Sequence, residues 1–162
     1  MIEIKNWGLV RIDDRLIHGQ VIAVWVKHKR FTRIQIVDDV VAADAFMVDV
    51  LRLAAPAGLD VIAETLENSV KSLNENQSPE ATMILMKSPM TAKRLYEAGI
   101  TFNALNIGGM GMGPGRKNVF KNTAISKEEY QVLKSLEDEG VKVTFLSVPG
   151  EKSKDFADLP TM

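Results

Sequence analysis

The run Ala81-Thr-Met-Ile-Leu-Met86 is almost continuously apolar, with the polar loop Asn74 to Pro79 before it and Ser88-Pro89 after it. A strand in a parallel sheet reads this way when helices cover both of its faces and no position turns to water. The run is therefore expected to be a central strand, the fourth of its sheet. Leu9, Val10 and Ile12 supply a first strand, Arg33 to Val37 a second, Leu59 to Ala63 a third, Ala104 to Ile107 a fifth and Val141 to Val148 a last. Val119 to Ile125 is a candidate for a further strand.

Helical segments fall between these strands. Beyond His18, residues Val21, Val24 and Trp25 lie at i, i+3 and i+4; Ala42 to Ala55 is followed by the stop signals Pro56 and Gly58; Leu66 to Leu73 is shorter and more polar. Pro89 lies near the first turn of a helix through Thr91 to Ala98, with Gly99 just past its end. Ser126 and Glu129 have capping-box spacing, and Gly140 closes the helix they open. The recurring strand-helix order predicts an α/β domain with an open, mainly parallel sheet, right-handed crossovers and helices on both faces. The 162 residues are enough for one such domain, and the charged tail from about Pro149, which has no clear periodicity, is expected to be loosely attached.

In sheets of this kind ligands sit beyond the carboxyl ends of the strands. His18, Asp38, Ser88 and the run Gly108-Gly-Met-Gly-Met-Gly-Pro-Gly115 all follow strand ends and are expected to converge on one edge. His18 is the sharpest chemical candidate. At the start of a helix it meets unpaired backbone amides and the positive end of the helix dipole, which favour an anion. An imidazole nitrogen is also a competent nucleophile toward phosphorus. Arg11 and Arg15 are expected to hold phosphoryl oxygens, and either Asp13 or Asp14 to fix the imidazole tautomer. The bland alternatives are a helix-capping histidine and a solvated charged loop. Asp38 and Ser88 are weaker site candidates, because both residue types commonly cap helices.

The glycine run is expected to be a mobile binding loop, with its amides, Arg116 and Lys117 as a candidate anion cradle. It matches neither a Walker A pattern nor GxGxxG, which argues against nucleotide binding. His28, within Lys27-His-Lys-Arg30, is assigned no catalytic role; Trp25 and the methionines at 83, 86, 110 and 112 are expected to pack in the core or loops.

Composition removes other chemistries. Without cysteine there are no disulfides, thiolate metal sites or thiol nucleophiles, and two histidines argue against a His-rich metal site. Twenty basic against 21 acidic residues, a formal net charge of -1, give no global attraction to nucleic acid or an anionic membrane. Without a signal-peptide core or an apolar run near the roughly 20 residues of a membrane helix, a cytoplasmic location is expected.

The segment Val10-Arg-Ile-Asp-Asp-Arg-Leu-Ile-His-Gly-Gln-Val21 closely resembles the phosphorylation-site motif of the IIB components in the mannose/fructose/sorbose family of the bacterial phosphoenolpyruvate-dependent sugar phosphotransferase system. Asp38-Asp-Val-Val-Ala-Ala-Asp44 and Asn106-Ile-Gly-Gly-Met110 are also similar to this family's segments, and the likeness runs through nearly the whole chain as a single IIB domain. The resemblance implies that His18 accepts phosphate from a phospho-IIA protein and passes it to a sugar carried by membrane IIC/IID components. Arg11, Asp13, Asp14 and Arg15 would share that site, with Gly19, Gln20, Asp38, Ser88 and Gly109 as substrate-binding positions. No cofactor or metal is implied, and the residues specify no oligomeric state. Because no IIA-type segment precedes position 1, a separate IIA protein is expected, with partner surfaces around His18 to which Lys27, Lys29, Arg30 and Arg33 contribute. Two competing functions are a non-catalytic regulatory module that binds a phosphorylated partner and a small-molecule phosphotransferase acting alone.

Overall fold

The structure is a computed structural model that describes residues 5–162. In chain order the elements are β1 (Leu9–Asp13), α1 (Gly19–His28), β2 (Arg33–Val37), α2 (Asp39–Ala42), α3 (Ala45–Ala54), β3 (Asp60–Glu64), α4 (Leu66–Glu75), β4 (Thr82–Met86), α5 (Pro89–Glu97), β5 (Ala104–Gly109), β6 (Arg116–Phe120), β7 (Thr123–Ser126), α6 (Lys127–Asp138), β8 (Lys142–Phe145) and β9 (Lys154–Asp155). The main sheet has the order β3-β2-β4-β1-β5-β8-β9, and every pairing is parallel except β8 with β9. This is the expected open α/β sheet.

All of β4 is buried, as its composition requires, and its side chains alternate between two cores. Ile84 and Met86 join Leu73, Ala92, Leu95, Tyr130, Leu133 and Leu136 beneath α4, α5 and α6. Met83 and Leu85 join Ile22, Trp25, Val41, Val48 and Leu51 beneath α1, α2 and α3. Fully burying each such side chain stabilises the fold by about 1.5–3 kcal/mol, so a strand read on both faces is a strong organiser. The middle of the seven strands is nevertheless β1, held between β4 and β5. From β1 the chain moves first toward β2 and later returns through β4 to cross to β5. The carboxyl end of β1 therefore lies at the point where the winding reverses, where ligands collect in open α/β sheets.

Three expectations change. The helix expected from Ala42 to Ala55 starts later, as α3 at Ala45 behind the separate short α2, because Asp44 accepts the Met47 amide at 3.1 Å and caps a new helix. An N-cap aspartate inside an apolar-periodic stretch breaks a helix without breaking the pattern. Val119 to Ile125 is not one strand but parts of the antiparallel pair β6 and β7, which turns at Lys121 (φ 43°). The tail from Pro149 is not loosely attached: β9 pairs antiparallel with β8, and Phe156 and Leu159 are buried in the α4–α6 core. Phe156 stacks at a tilt on Tyr130, with centroids 5.0 Å apart. Two apolar anchors are too sparse to give a periodicity, yet they suffice to fasten a short tail.

Candidate functional site

The loop from β1 to α1 is shaped by one strained residue. Leu16 takes a left-handed backbone (φ 58°), and its amide donates to the Asp13 carbonyl at 2.9 Å. A non-glycine residue in this region costs about 1–3 kcal/mol. Burial of Leu16 and Ile17 in the α1–α3 core offsets that cost. With both apolar residues drawn inward, the next residue, His18, emerges exposed.

His18 is the N-cap of α1 by backbone alone. Its carbonyl accepts the Ile22 amide at 3.0 Å, while its side chain makes no capping bond. The first-turn amides of Gly19, Gln20 and Val21 thus receive no cap from it, which leaves a positive helix end beside the imidazole. Gly19 also permits a close helix approach, since a Cβ there would lie 3.0 Å from the Ala54 carbonyl oxygen at the end of α3.

Beneath this loop lies a buried charge network. Asp13, 1% exposed at the end of β1, accepts from Arg11 at 3.0 Å and from Arg15 through Nε at 2.9 Å and Nη2 at 2.8 Å; it also accepts the Arg15 amide at 3.1 Å. Burial alone would raise the Asp13 carboxyl, but hydrogen bonds from Arg15 and the charge of Arg11 outweigh it and hold the group below the usual aspartate range. The fork on Asp13 raises Arg15 further above the ordinary guanidinium value. Arg15 remains partly exposed, with its guanidinium oriented by a rigid partner.

Arg11 is not the surface phosphate ligand the sequence led us to expect. It is wholly buried, donating to Asn106 Oδ1 at 2.6 Å and the Leu146 carbonyl at 3.2 Å as well as to Asp13, and its guanidinium carbon lies 5.6 Å from the Trp25 ring centroid. Burial pulls its pKa below the ordinary value, with Asp13 opposing the shift. Its Nε has no acceptor among the described residues. Gly108 makes the space: a Cβ there would overlap the Arg11 guanidinium. Gly109 is buried in β5, where a Cβ would be 3.2 Å from Arg15 Nη2 and 3.4 Å from Asp13 Oδ1. Both glycines therefore accommodate arginines rather than cradle an anion, and Trp25 packs against a charged site residue rather than serving the core alone.

Neither aspartate hydrogen-bonds to His18. Asp13 is committed to the two arginines, and Asp14 Oδ2 instead accepts the Gly111 amide at 2.7 Å while its own amide donates to the Gly109 carbonyl at 3.1 Å. The glycine loop is accordingly clamped rather than free. The Ala124 amide donates to the Met110 carbonyl at 2.8 Å, and Arg116 Nη1 donates to the Gly111 carbonyl at 2.7 Å. Met83, Met86 and Met110 are buried as expected, but Met112 at the loop's tip is 67% exposed.

The remaining candidates do not join this cluster. Asp38 and Ser88 are N-caps, accepting the amides of Val41 at 2.8 Å and Thr91 at 3.4 Å. Asp38 faces a shallow hollow lined with Asp39, Val40, Leu66, Thr91 and Arg94, and not by His18 or Arg15. Lys27 and Lys29 occupy the far end of α1, whose 10 residues span roughly 15 Å. Arg33 begins β2 and pairs with Asp60 at 3.5 Å on the opposite sheet edge, so this basic patch does not surround His18. Sequence reasoning missed Asn106 as a partner of Arg11 and the pair Arg116–Glu129; the available signals were a polar residue inside an apolar strand and a capping-box glutamate downstream of a glycine-loop arginine.

Among the described residues no helix is long and apolar enough to cross a membrane, and no group of three or more His, Asp or Glu is placed to hold a metal ion. The site offers an exposed imidazole, uncapped helix amides and one oriented guanidinium, a set suited to carrying a phosphoryl group.

Comparison with known proteins gives the same direction. The family model for the PTS system sorbose subfamily IIB component matches residues 7–161. The sorbose-specific EIIB component of Klebsiella pneumoniae is 36% identical over 151 residues, covering 93% of this chain and 92% of that protein. The fructose-specific EIIB component of Bacillus subtilis (strain 168) is 30% identical over 155 residues, covering 95% of each. The crystal structure of the IIBSor domain of the Klebsiella pneumoniae sorbose permease matches with a TM-score of 0.87 and 35% identity over 95% of each chain. The β1–α1 motif, the fold it sits in and these full-length matches agree that the chain belongs to the sorbose-subfamily IIB components of the phosphoenolpyruvate-dependent sugar phosphotransferase system.

Proposed function

We propose that His18 is the residue on which this IIB component carries the phosphoryl group between a phospho-IIA protein and a sugar. The observation that carries the reading is the uncapped start of α1: an exposed imidazole stands at a helix start that no side chain caps, three residues after an arginine whose guanidinium a buried aspartate holds in place.

In the first transfer an imidazole nitrogen of His18 attacks phosphorus; the new N–P bond forms as the N–P bond to the donor protein breaks. Arg15 and the amides of Gly19, Gln20 and Val21 stabilise the phosphoryl oxygens through charge and hydrogen bonding. In the second transfer a sugar hydroxyl oxygen attacks, the P–N bond breaks, the imidazole nitrogen is regenerated and the hydroxyl proton is released. Asp13 and Arg11 act beneath the surface: Arg11 fixes Asp13, and Asp13 fixes Arg15. Arg11 is thus assigned to positioning, and Asp38, Ser88 and Gly109 to structural support.

The reaction places the chain in the cytoplasm, alternating between a IIA protein and the membrane IIC/IID components that hold the sugar. The exposed apolar residues Phe46, Val50 and Leu53 lie on α3, whose last residue Ala54 approaches Gly19, and in this reading they belong to the surface that meets the IIA partner. Incubation with phosphoenolpyruvate, the general phosphotransferase proteins and a IIA protein tests the assignment. Wild type takes up acid-labile phosphate and His18→Ala takes up none; equal labelling of the two removes His18 from the reaction. A stable complex with phospho-IIA and no label on this chain would instead identify a non-catalytic regulatory module.

A further inference from the structure

The loop that carries Arg15 and His18 is tied to a distant part of the chain through a continuous set of hydrogen bonds. Glu129, 3% exposed in the first turn of α6, receives a two-pronged contact from Arg116: Nε to Oε1 at 3.0 Å and Nη2 to Oε2 at 2.8 Å. The same carboxylate accepts the Ser126 amide at 2.8 Å, and the Glu129 amide donates to Ser126 Oγ at 3.1 Å, so the helix start holds the glutamate rigidly. The third arm of Arg116, Nη1, donates to the Gly111 carbonyl at 2.7 Å, and the Gly111 amide donates to Asp14 Oδ2 at 2.7 Å. Asp14 lies between Asp13 and Arg15.

A segment with five glycines in eight residues has large conformational freedom to lose, and beyond the buried Met110 its own side chains restrain it only at Pro114. The geometry supplies that selection from outside. Arg116 uses its two-pronged face on a buried carboxylate and its remaining donor on the loop backbone, so its position is set by α6 and transmitted to Gly111. A surface ion pair formed only for stability has no need of this third contact.

We propose that Glu129 and Arg116 are positioning residues for phosphoryl transfer, acting through Gly111 and Asp14 on the loop that presents Arg15 and His18. This rests on the His18 reading above. In this proposal the relay acts without contacting the phosphoryl group or the donor protein. Its loss misplaces the loop relative to the attacking geometry, so it lowers the rate of transfer within the complex more than it weakens docking.

The test compares wild type, Arg116→Met, Glu129→Gln, Asp14→Asn and the double variant Arg116→Met/Asp14→Asn. Each is phosphorylated by phospho-IIA under steady-state conditions, with the unfolding midpoint measured alongside. Arg116→Met is expected to lower kcat roughly tenfold with KM within about twofold, and Glu129→Gln to act in the same direction. In the Asp14→Asn background Arg116→Met should cost less than about a further twofold, because both changes cut one path. Unchanged kcat with a lowered midpoint, a change confined to KM, or fully multiplicative effects in the double variant would each overturn the relay. Amide exchange at Gly111 supplies a readout that needs no phosphoryl donor: faster exchange in Arg116→Met supports the relay and wild-type protection refutes it. Absence of label at His18 in wild type would remove the phosphohistidine reading, and with it the catalytic role proposed for the relay, whereas normal wild-type labelling with an unaffected Arg116→Met would remove the relay alone.

Discussion

Of the strand-to-helix junctions on the carboxyl edge of the sheet, those after β1, β2 and β4 begin their helices differently. At the end of β2 the Asp38 carboxylate closes on the Val41 amide, and after β4 the Ser88 hydroxyl closes on the Thr91 amide. At the end of β1 the corresponding residue is His18, whose side chain caps nothing. A capped helix start has already satisfied one of its free amides and has less to offer an anion. The uncapped one keeps its donors available and places an imidazole where a carboxylate or hydroxyl would otherwise fold back. If His18 carries the phosphoryl group as proposed, the contrast separates a junction built for stability from one built for chemistry.

The sharpest way to break that contrast is to make the third junction resemble the other two. His18→Asp removes the nucleophile and supplies a good N-cap to α1. Phosphate uptake is expected to vanish entirely while stability rises by about 1 kcal/mol, read as a higher midpoint in urea. A variant that retained label, or one that lost stability, would show that the helix start is not waiting for a cap.

The next largest effect belongs to the support beneath the junction. Asp13→Asn leaves Arg11 as a buried charge without its carboxylate partner, a change that costs about 3–5 kcal/mol in comparable buried pairs. It also releases the Arg15 fork, so phosphorylation by phospho-IIA should fall together with stability. The pH dependence has a definite sign. Because Asp13 is held below the ordinary aspartate range in the folded protein, the unfolded chain takes up the proton first as pH falls. The stabilisation is therefore complete above that range and is lost as pH drops into and below it. Unfolding curves of wild type and Asp13→Asn should converge on the acid side, and a constant gap across that window would contradict the assignment.

Which parts of this site could be read in advance follows from where the physics is written. The six parallel strands of the main sheet and most helices were legible because periodicity and caps are local, and β4 declared its burial through an unbroken apolar run. His18 and Arg15 could be singled out as candidates because both lie within one short segment. The division of labour between the two arginines was not legible. Arg11 alternates with Val10 and Ile12 in β1, and only its neighbours across the sheet, Asn106 and Gly108 on β5, reveal that it is an internal strut. The same limit hid the clamp on the glycine loop: a row of glycines signals freedom locally, whereas Arg116 and Glu129 remove that freedom through contacts that become visible only after the chain has folded. The tail misled for a related reason, since two anchoring residues, Phe156 and Leu159, leave no pattern among charges.

The smallest expected effect comes from the capped junctions themselves. Ser88→Ala removes the acceptor for the Thr91 amide, and loss of such a cap costs about 1 kcal/mol. The residue follows a strand end, as His18 does, so proximity to the sheet edge alone would predict damage to transfer. The geometry predicts otherwise, because Ser88 spends its hydroxyl on its own helix and on Thr91 Oγ1 at 3.2 Å, and touches no residue of the Arg11–Asp13–Arg15 network. Its variant should lower the unfolding midpoint while the initial rate of phosphorylation stays at the wild-type value. A marked loss of rate at temperatures where the variant remains folded would place Ser88 in the site after all, and the division between capped and uncapped helix starts would then fail as a guide to where this protein does its chemistry.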